Sequence, residues 1–191
     1  FEYHRKKQTP HPIMKKEKIN AVPYKHPDIE KWQNALNQGV EYVHPDLNLK
    51  LAGGIDDVWE NKDTGKLIVV DYKAQSKKEE KKIKNYLDDP YHEGYLLQLD
   101  FYRYLFEKYG FEVQTTGYFV VYNATLERDS FDNKLEFTFD LVPYETNSSH
   151  IEDKLIEMKK LMVSGKIPKH TPHCQNCNYI IAGGKLIKDK N

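Results

Sequence analysis

Apolar and polar positions divide the chain into a few strongly patterned segments. Asp28 reads as an N-cap, Ile29, Trp32 and Leu36 follow on one helical face, and Gly39 reads as the stop. Residues 48–60 read as a strand interrupted at Gly53-Gly54, "NKDTGK" as a hairpin turn, and "KLIVVDYK" as a second strand. The unbroken run Leu67 to Val70 predicts burial on both faces, as in the middle of a sheet with helices above and below. A charged loop, "SKKEEKKIKNYLDDP", leads to a strong helix over 94–109 that ends at Gly110. "TTGYFVVYNA" and "KLEFTFDLVPY" predict two antiparallel neighbours. Ser149 and Glu152 fit a capping box, ahead of an apolar stripe of Ile151, Leu155, Met158 and Met162 and a stop at Gly165. Residues 5–27, rich in Lys, Pro and His, read as an irregular connection, and the chain beyond Tyr179 as a short loose tail. The order helix, strands, helix, strands, helix predicts an α/β fold with a mixed central β-sheet flanked by α-helices.

Composition narrows the function classes. The 191 residues suffice for one domain with a real core, and 14 tyrosines argue for packing and against disorder. Lys plus Arg equal Asp plus Glu at 29 each, so a nucleic-acid surface has to be a local patch. No apolar run is long enough for a membrane span. The first residues, "FEYHRKKQTP", are charged at once and carry no signal-peptide pattern, and two cysteines make no disulfide framework; a cytoplasmic setting is expected.

The candidate chemistry lies at the end of the buried strand. Alternation puts Asp71 and Lys73 on one face and Tyr72 on the other. Two charges directly after a buried strand are costly unless paired or bound to something. One solution is a hard divalent cation held by Asp71, by Asp56 from the preceding strand and by the Tyr72 backbone carbonyl, with Lys73 orienting water and facing a phosphate. The other is a strand-end salt bridge from Lys73 to Asp56 or Asp57. The acid-x-Lys spacing alone decides nothing, because it recurs at Glu79/Lys81, Asp132/Lys134 and Glu152/Lys154 as ordinary solvated surface. Gln98 and Tyr102, four apart on the long helix, share a face and either flank ordinary packing by Leu97, Phe101 and Leu105 or help to shape the site.

"GGIDDVW", "VVDYKA" and "QLDFY", taken in that order, resemble the RecB-type branch of the PD-(D/E)XK nuclease superfamily. The pattern there is Gly-x-x-Asp, Asp-x-Lys and Gln-x-x-x-Tyr, here Asp56, then Asp71 and Lys73, then Gln98 and Tyr102. The match covers residues 50–105 and is similar to the iron–sulfur exonucleases of CRISPR adaptation. It implies a restriction-endonuclease-like core over residues 1–180, N-terminally truncated, with a flexible tail at 181–191. It also implies Mg²⁺ or Mn²⁺, DNA as substrate (single-stranded or duplex ends), and exonuclease work in repair, recombination or CRISPR-type processing, with a helicase or recombination partner left open. An upstream histidine ligand is implied too. His4 is the candidate, with His26 and His44 as alternatives in the Pro-directed "KHPD" and "VHPD".

Cys174 and Cys177 form a CxxC, two of the four ligands that zinc or a [4Fe-4S] cluster needs. His170 and His173 are the nearest further zinc ligands, and cluster cysteines are expected upstream of Phe1 in a full-length protein. Phosphate contacts are sought in "SKKEEKKIK", "HRKK" and "MKKEK". Two rival readings stand beside the nuclease: a catalytically inactive nuclease-fold scaffold that binds nucleic acid, and a zinc-stabilised interaction module.

Overall fold

The computed structural model describes residues 1–78, 83–125, 130, 132–170 and 174–188. In chain order its elements are α1 (Glu2–Lys7), α2 (Pro12–Lys16), β1 (Ala21–Pro23), α3 (Ile29–Gln33), β2 (Val40–His44), β3 (Leu49–Gly53), β4 (Asp57–Asn61), β5 (Leu67–Gln75), a 3₁₀ turn at Pro90–His92, α4 (Glu93–Tyr109), β6 (Thr116–Ala124), β7 (Phe137–Glu145), α5 (Ile151–Ser164) and α6 (Gln175–Lys188). The chain divides into two compact units, Phe1–Glu152 and Asp153–Asn191. No described helix is long and apolar enough to cross a membrane.

The apolar run Leu67 to Val70 takes the position its pattern predicts. β5 is the middle strand of a five-stranded sheet in the order β1-β4-β5-β6-β7, antiparallel to β4 and parallel to β6. A parallel neighbour needs a crossover, and α4 supplies it. Side chains at 67, 69, 71 and 73 lie toward α4; those at 68, 70 and 72 lie on the opposite face, in a core with Ile13, Met14 and Trp59. The sheet is therefore mixed and covered by helices, as expected, and β6 and β7 are antiparallel over their whole length. α4 spans 93–109 and closes on Gly110 at φ 98, the left-handed conformation that favours glycine. Its buried positions are Leu99, Asp100, Tyr102, Tyr104, Leu105 and Phe106; of the expected stripe Leu97, Phe101, Leu105, Leu105 is buried, Phe101 is half-buried and Leu97 is exposed.

The N-terminal quarter differs most from its sequence reading. Residues 5–27 hold half of α1, all of α2, and β1, short elements that periodicity over a long window cannot register. α3 stops at Gln33, and Leu36 is 94% exposed. The reason is tertiary: the Trp32 carbonyl accepts from Ile55 N–H at 3.1 Å, and the Lys31 carbonyl from Gly39 N–H at 3.0 Å, which turns the chain back early. "EYVH" is strand β2, paired with β3 in a separate hairpin. At α5 the capping box does not form. Ser149 Oγ donates to Asn147 Oδ1, and Glu152 instead takes Tyr104 OH at 2.6 Å and His44 Nε2 at 2.5 Å. The hydrogen bond from Tyr104, then those from His44 and Lys108, hold the Glu152 carboxyl down to about 2. In the second unit α6 runs to Lys188 where a loose tail was expected; Gly183-Gly184 hides that helix from propensity.

Candidate active site

Two glycines set the position of the first aspartate. A Cβ on Gly53 would lie 2.9 Å from the Tyr102 ring, and one on Gly54 2.3 Å from Ala35 Cα. The strand end therefore sits closer to α4 and to the α3–β2 loop than any side chain permits. Gln33 Nε2 donates to the Asp56 carbonyl at 2.8 Å, and Tyr102 OH donates to the Gly54 carbonyl at 2.6 Å. Gly54→Ala is expected to displace this loop and to lower stability by about 1–3 kcal/mol in urea unfolding, with cleavage falling alongside; an unchanged midpoint would contradict the close approach.

Asp56 and Asp57, adjacent in sequence, have separate roles. Asp57 is fully buried on the far side of the sheet and accepts from Val58 N–H (2.8 Å), Trp59 Nε1 (3.1 Å) and Tyr72 OH (2.6 Å), besides its ion pair with Arg5. It is a structural latch and is closed to ligands. Asp56 is half-buried, and its Oδ2 accepts from Tyr72 N–H at 2.7 Å. The β4–β5 ladder ends at Asp57 and Val70, so β5 beyond Val70 has no strand on this side and Asp56 caps it. A strand residue points its N–H and C=O the same way, so the Tyr72 carbonyl also faces Asp56.

Asp71 is 1% exposed and sits in the middle of β5, directly past the end of its pairing with β4. Burial pushes its carboxyl up to about 6, with neighbouring Asp56 adding to the rise and Lys73 opposing it. Its Oδ2 lies 2.5 Å from Lys73 Nζ, yet no donor meets that oxygen with hydrogen-bond geometry. The two observations agree if the contact is read as charge against charge, off the lone-pair direction. Lys73 Nζ donates instead to Gln98 Oε1 at 3.0 Å. Gln98 Nε2 donates to Tyr102 OH at 2.6 Å, and that hydroxyl donates to Gly54. One directional chain thus links Lys73, Gln98, Tyr102 and the loop that carries Asp56. The alternative salt bridge from Lys73 to Asp56 or Asp57 is not the pairing formed.

The donor set fits a hard cation in the sparse form typical of Mg²⁺, one or two carboxylates with water and phosphate completing the shell. A buried carboxylate oxygen without a donor, beside a second carboxylate and a backbone carbonyl, is what such an ion would satisfy. Among the described residues no group of three or more His, Cys, Asp or Glu side chains gathers around one point. His4 is therefore not brought into a three-ligand set with Asp56 and Asp71. Its Nδ1 meets Thr9 Oγ1 at 3.0 Å, and its ring packs on His11, which stacks on Phe1 in the layer against Tyr72. The neighbouring Arg5 reaches into that same layer for Asp57, which explains the placement and also removes Arg5 from the "HRKK" phosphate patch. His26 stacks on Trp32, and His44 bonds Glu152; neither stands at the site.

Cys174 and Cys177 lie in the second unit at the start of α6, where Cys177 N–H donates to Cys174 Sγ at 3.3 Å. The hydrogen bond from Cys177 lowers the Cys174 thiol, and the same bond raises Cys177. The zinc reading through His173 lies outside the described residues, as do 79–82 of the lysine-rich loop. Asn123, on the α4-facing side of β6, carried no sequence signal. Buried at 3%, it clips the Lys77 backbone with two hydrogen bonds of 2.9 Å and so fixes where β5 leaves the sheet beyond Lys73.

The family description that matches this chain, over residues 2–182, is that of the PD-(D/E)XK nuclease superfamily. No curated protein matches.

Proposed function

The chain belongs to the PD-(D/E)XK nuclease superfamily, and on that premise we propose that it is a divalent-metal-dependent nuclease hydrolysing DNA phosphodiester bonds. The superfamily is one of metal-dependent nucleases that typically use Mg²⁺ or Mn²⁺ and act on nucleic acid. The observation that carries the reading here is Asp71, a buried carboxylate beside Asp56 with an unsatisfied oxygen and a lysine two residues on. Asp56, Asp71 and the Tyr72 carbonyl would hold the ion, which when bound would stabilise charge on the phosphate and lower the pKa of water. Lys73 faces the phosphate and orients the attacking water. Gln98 directs Lys73, and Tyr102 holds Gln98 against the Asp56 loop. The order of the three motifs supports the RecB-type branch, and exonuclease action on DNA ends follows from that likeness.

The test is cleavage of end-labelled single- and double-stranded DNA, beside RNA, with Mg²⁺, Mn²⁺ or EDTA. The wild type is expected to cut DNA only with a divalent ion, and Lys73→Ala to lower kcat on the order of 10²–10³-fold, as expected for loss of a group that stabilises transition-state charge. Full activity in Lys73→Ala would overturn the role of Lys73. A folded protein that binds Mn²⁺ and cuts nothing would favour the inactive scaffold.

A further inference from the structure

Lys73 is held on three sides. Asp71 Oδ2 lies 2.5 Å from Nζ, Gln98 Oε1 3.0 Å, and the centre of the Tyr95 ring 4.3 Å. The three partners hold it in different ways: Gln98 by a hydrogen bond, Asp71 by charge against charge, and Tyr95 by its ring face. Two of the partners belong to the motifs already described. Tyr95 does not. It stands three residues before Gln98, on the same face of α4, so the helix presents ring and amide to the lysine together.

The ring is itself fixed by what lies against it. His92 stacks on Tyr95 at 5.2 Å with 24° between the planes. His92 is 8% exposed, and its Nδ1 lies 2.8 Å from the Tyr86 carbonyl. A carbonyl only accepts, so Nδ1 carries the proton and the imidazole orientation is set. The Tyr86 ring, 4% exposed, packs on His92 at 4.2 Å and on Phe119 at 5.8 Å. A continuous row of rings therefore runs from the interior of the sheet to the Lys73 ammonium.

We infer that Tyr95 is a positioning residue for Lys73, holding the ammonium over its ring face at the place where it meets the scissile phosphate. The inference rests on the nuclease reading above. Once Asp71 is committed to a cation, its pull on Lys73 is shared with that cation, and the two positive charges repel. Gln98 and the Tyr95 face then remain to keep the ammonium at the site. A cation over an aromatic face needs the ring and not the phenol hydroxyl, so phenylalanine serves where leucine does not.

Tyr95→Leu and Tyr95→Phe distinguish this role from simple packing. Tyr95→Leu is expected to lower kcat about tenfold on end-labelled DNA, with KM and calorimetric Mn²⁺ affinity changed less than about twofold; Tyr95→Phe is expected to restore kcat. The ε-methylene protons of Lys73 are expected upfield in the wild type and in Tyr95→Phe, from the ring current, and near ordinary lysine values in Tyr95→Leu. A Tyr95→Leu enzyme with wild-type kcat overturns the inference, as does a Tyr95→Phe enzyme as slow as Tyr95→Leu. Loss of kcat, Mn²⁺ affinity and thermal stability together assigns Tyr95 to packing and overturns it equally. A wild type that cuts nothing removes the nuclease reading; the ring-current shift then decides by itself whether Tyr95 holds Lys73.

Discussion

Asp71→Asn is expected to abolish cleavage and, in the absence of metal, to stabilise the fold. Loss of one of two carboxylates at the proposed ion costs several kcal/mol of transition-state stabilisation, a fall in kcat on the order of 10³-fold. The stability gain comes from the same burial. The unfolded carboxyl titrates near 3.8 and the folded one near 6, so the native state holds its proton more tightly. Between those values the native state binds more protons than the unfolded chain, and stability falls as pH rises through the window. Above about 6 the loss is complete. Asparagine is uncharged at every pH and removes the slope, so the variant is expected to exceed the wild type by about 1–3 kcal/mol at pH 7, or a few degrees in Tm. Divalent ion has the opposite pH trend: it binds the ionised carboxylates, so its affinity in the wild type strengthens as pH rises through 6. Melting curves from pH 4 to 8, with EDTA and with Mn²⁺, measure both trends. A variant less stable than the metal-free wild type at pH 7 would mean that Asp71 is a structural partner of Lys73 rather than a strained ligand.

Asp57→Ala is expected to have the largest effect on folding, although it lies beside a proposed ligand. It would strand Arg5, which is 3% exposed, and would leave Trp59 Nε1 and the Tyr72 hydroxyl without their acceptor. Breaking a buried ion pair from one side costs about 3–5 kcal/mol, a large share of the roughly 5–15 kcal/mol that holds a domain together. Because burial and the Asp57 carboxylate both push the Tyr72 phenol well above its ordinary value, that hydroxyl stays a donor at any working pH. Arg5→Met combined with Asp57→Ala removes both charges and is expected to recover part of the loss. Urea unfolding of the two single variants and the double variant checks it; an Asp57→Ala midpoint equal to wild type would refute the latch. Asp56→Ala is the contrast, with little cost to folding and loss of cleavage.

These two neighbours show how far the sequence alone reaches. "GGIDDVW" offers two adjacent carboxylates, and local rules place both at a strand end. Which one is left open is decided by the far side of the sheet, where Arg5, 52 residues away, claims Asp57. The long patterned elements were legible for a physical reason. The first half of β5, Leu67 to Val70, is buried on both faces and so is apolar throughout, and α4 is 17 residues long with a Gly110 stop. Asp71, Lys73, Gln98 and Tyr102 follow from those two elements, because period 2 and period 3.6 dictate which side chains share a face.

The short elements were not legible. α1, α2 and β1 carry six, five and three residues, too few for periodicity, and they form because the sheet face at Trp59 and Val70 needs covering. His4 falls on that face for the same reason, away from Asp71. Tyr95 and Asn123 were silent because their roles are contacts with Lys73 and Lys77, made across the turn of the chain rather than along it. The sequence determined the central strand, the crossover helix and the charged groups at their ends. Only the tertiary structure decided which of those charges are latched, which are left facing each other, and which ring holds the lysine between them, because those choices depend on groups that meet only after the chain has closed.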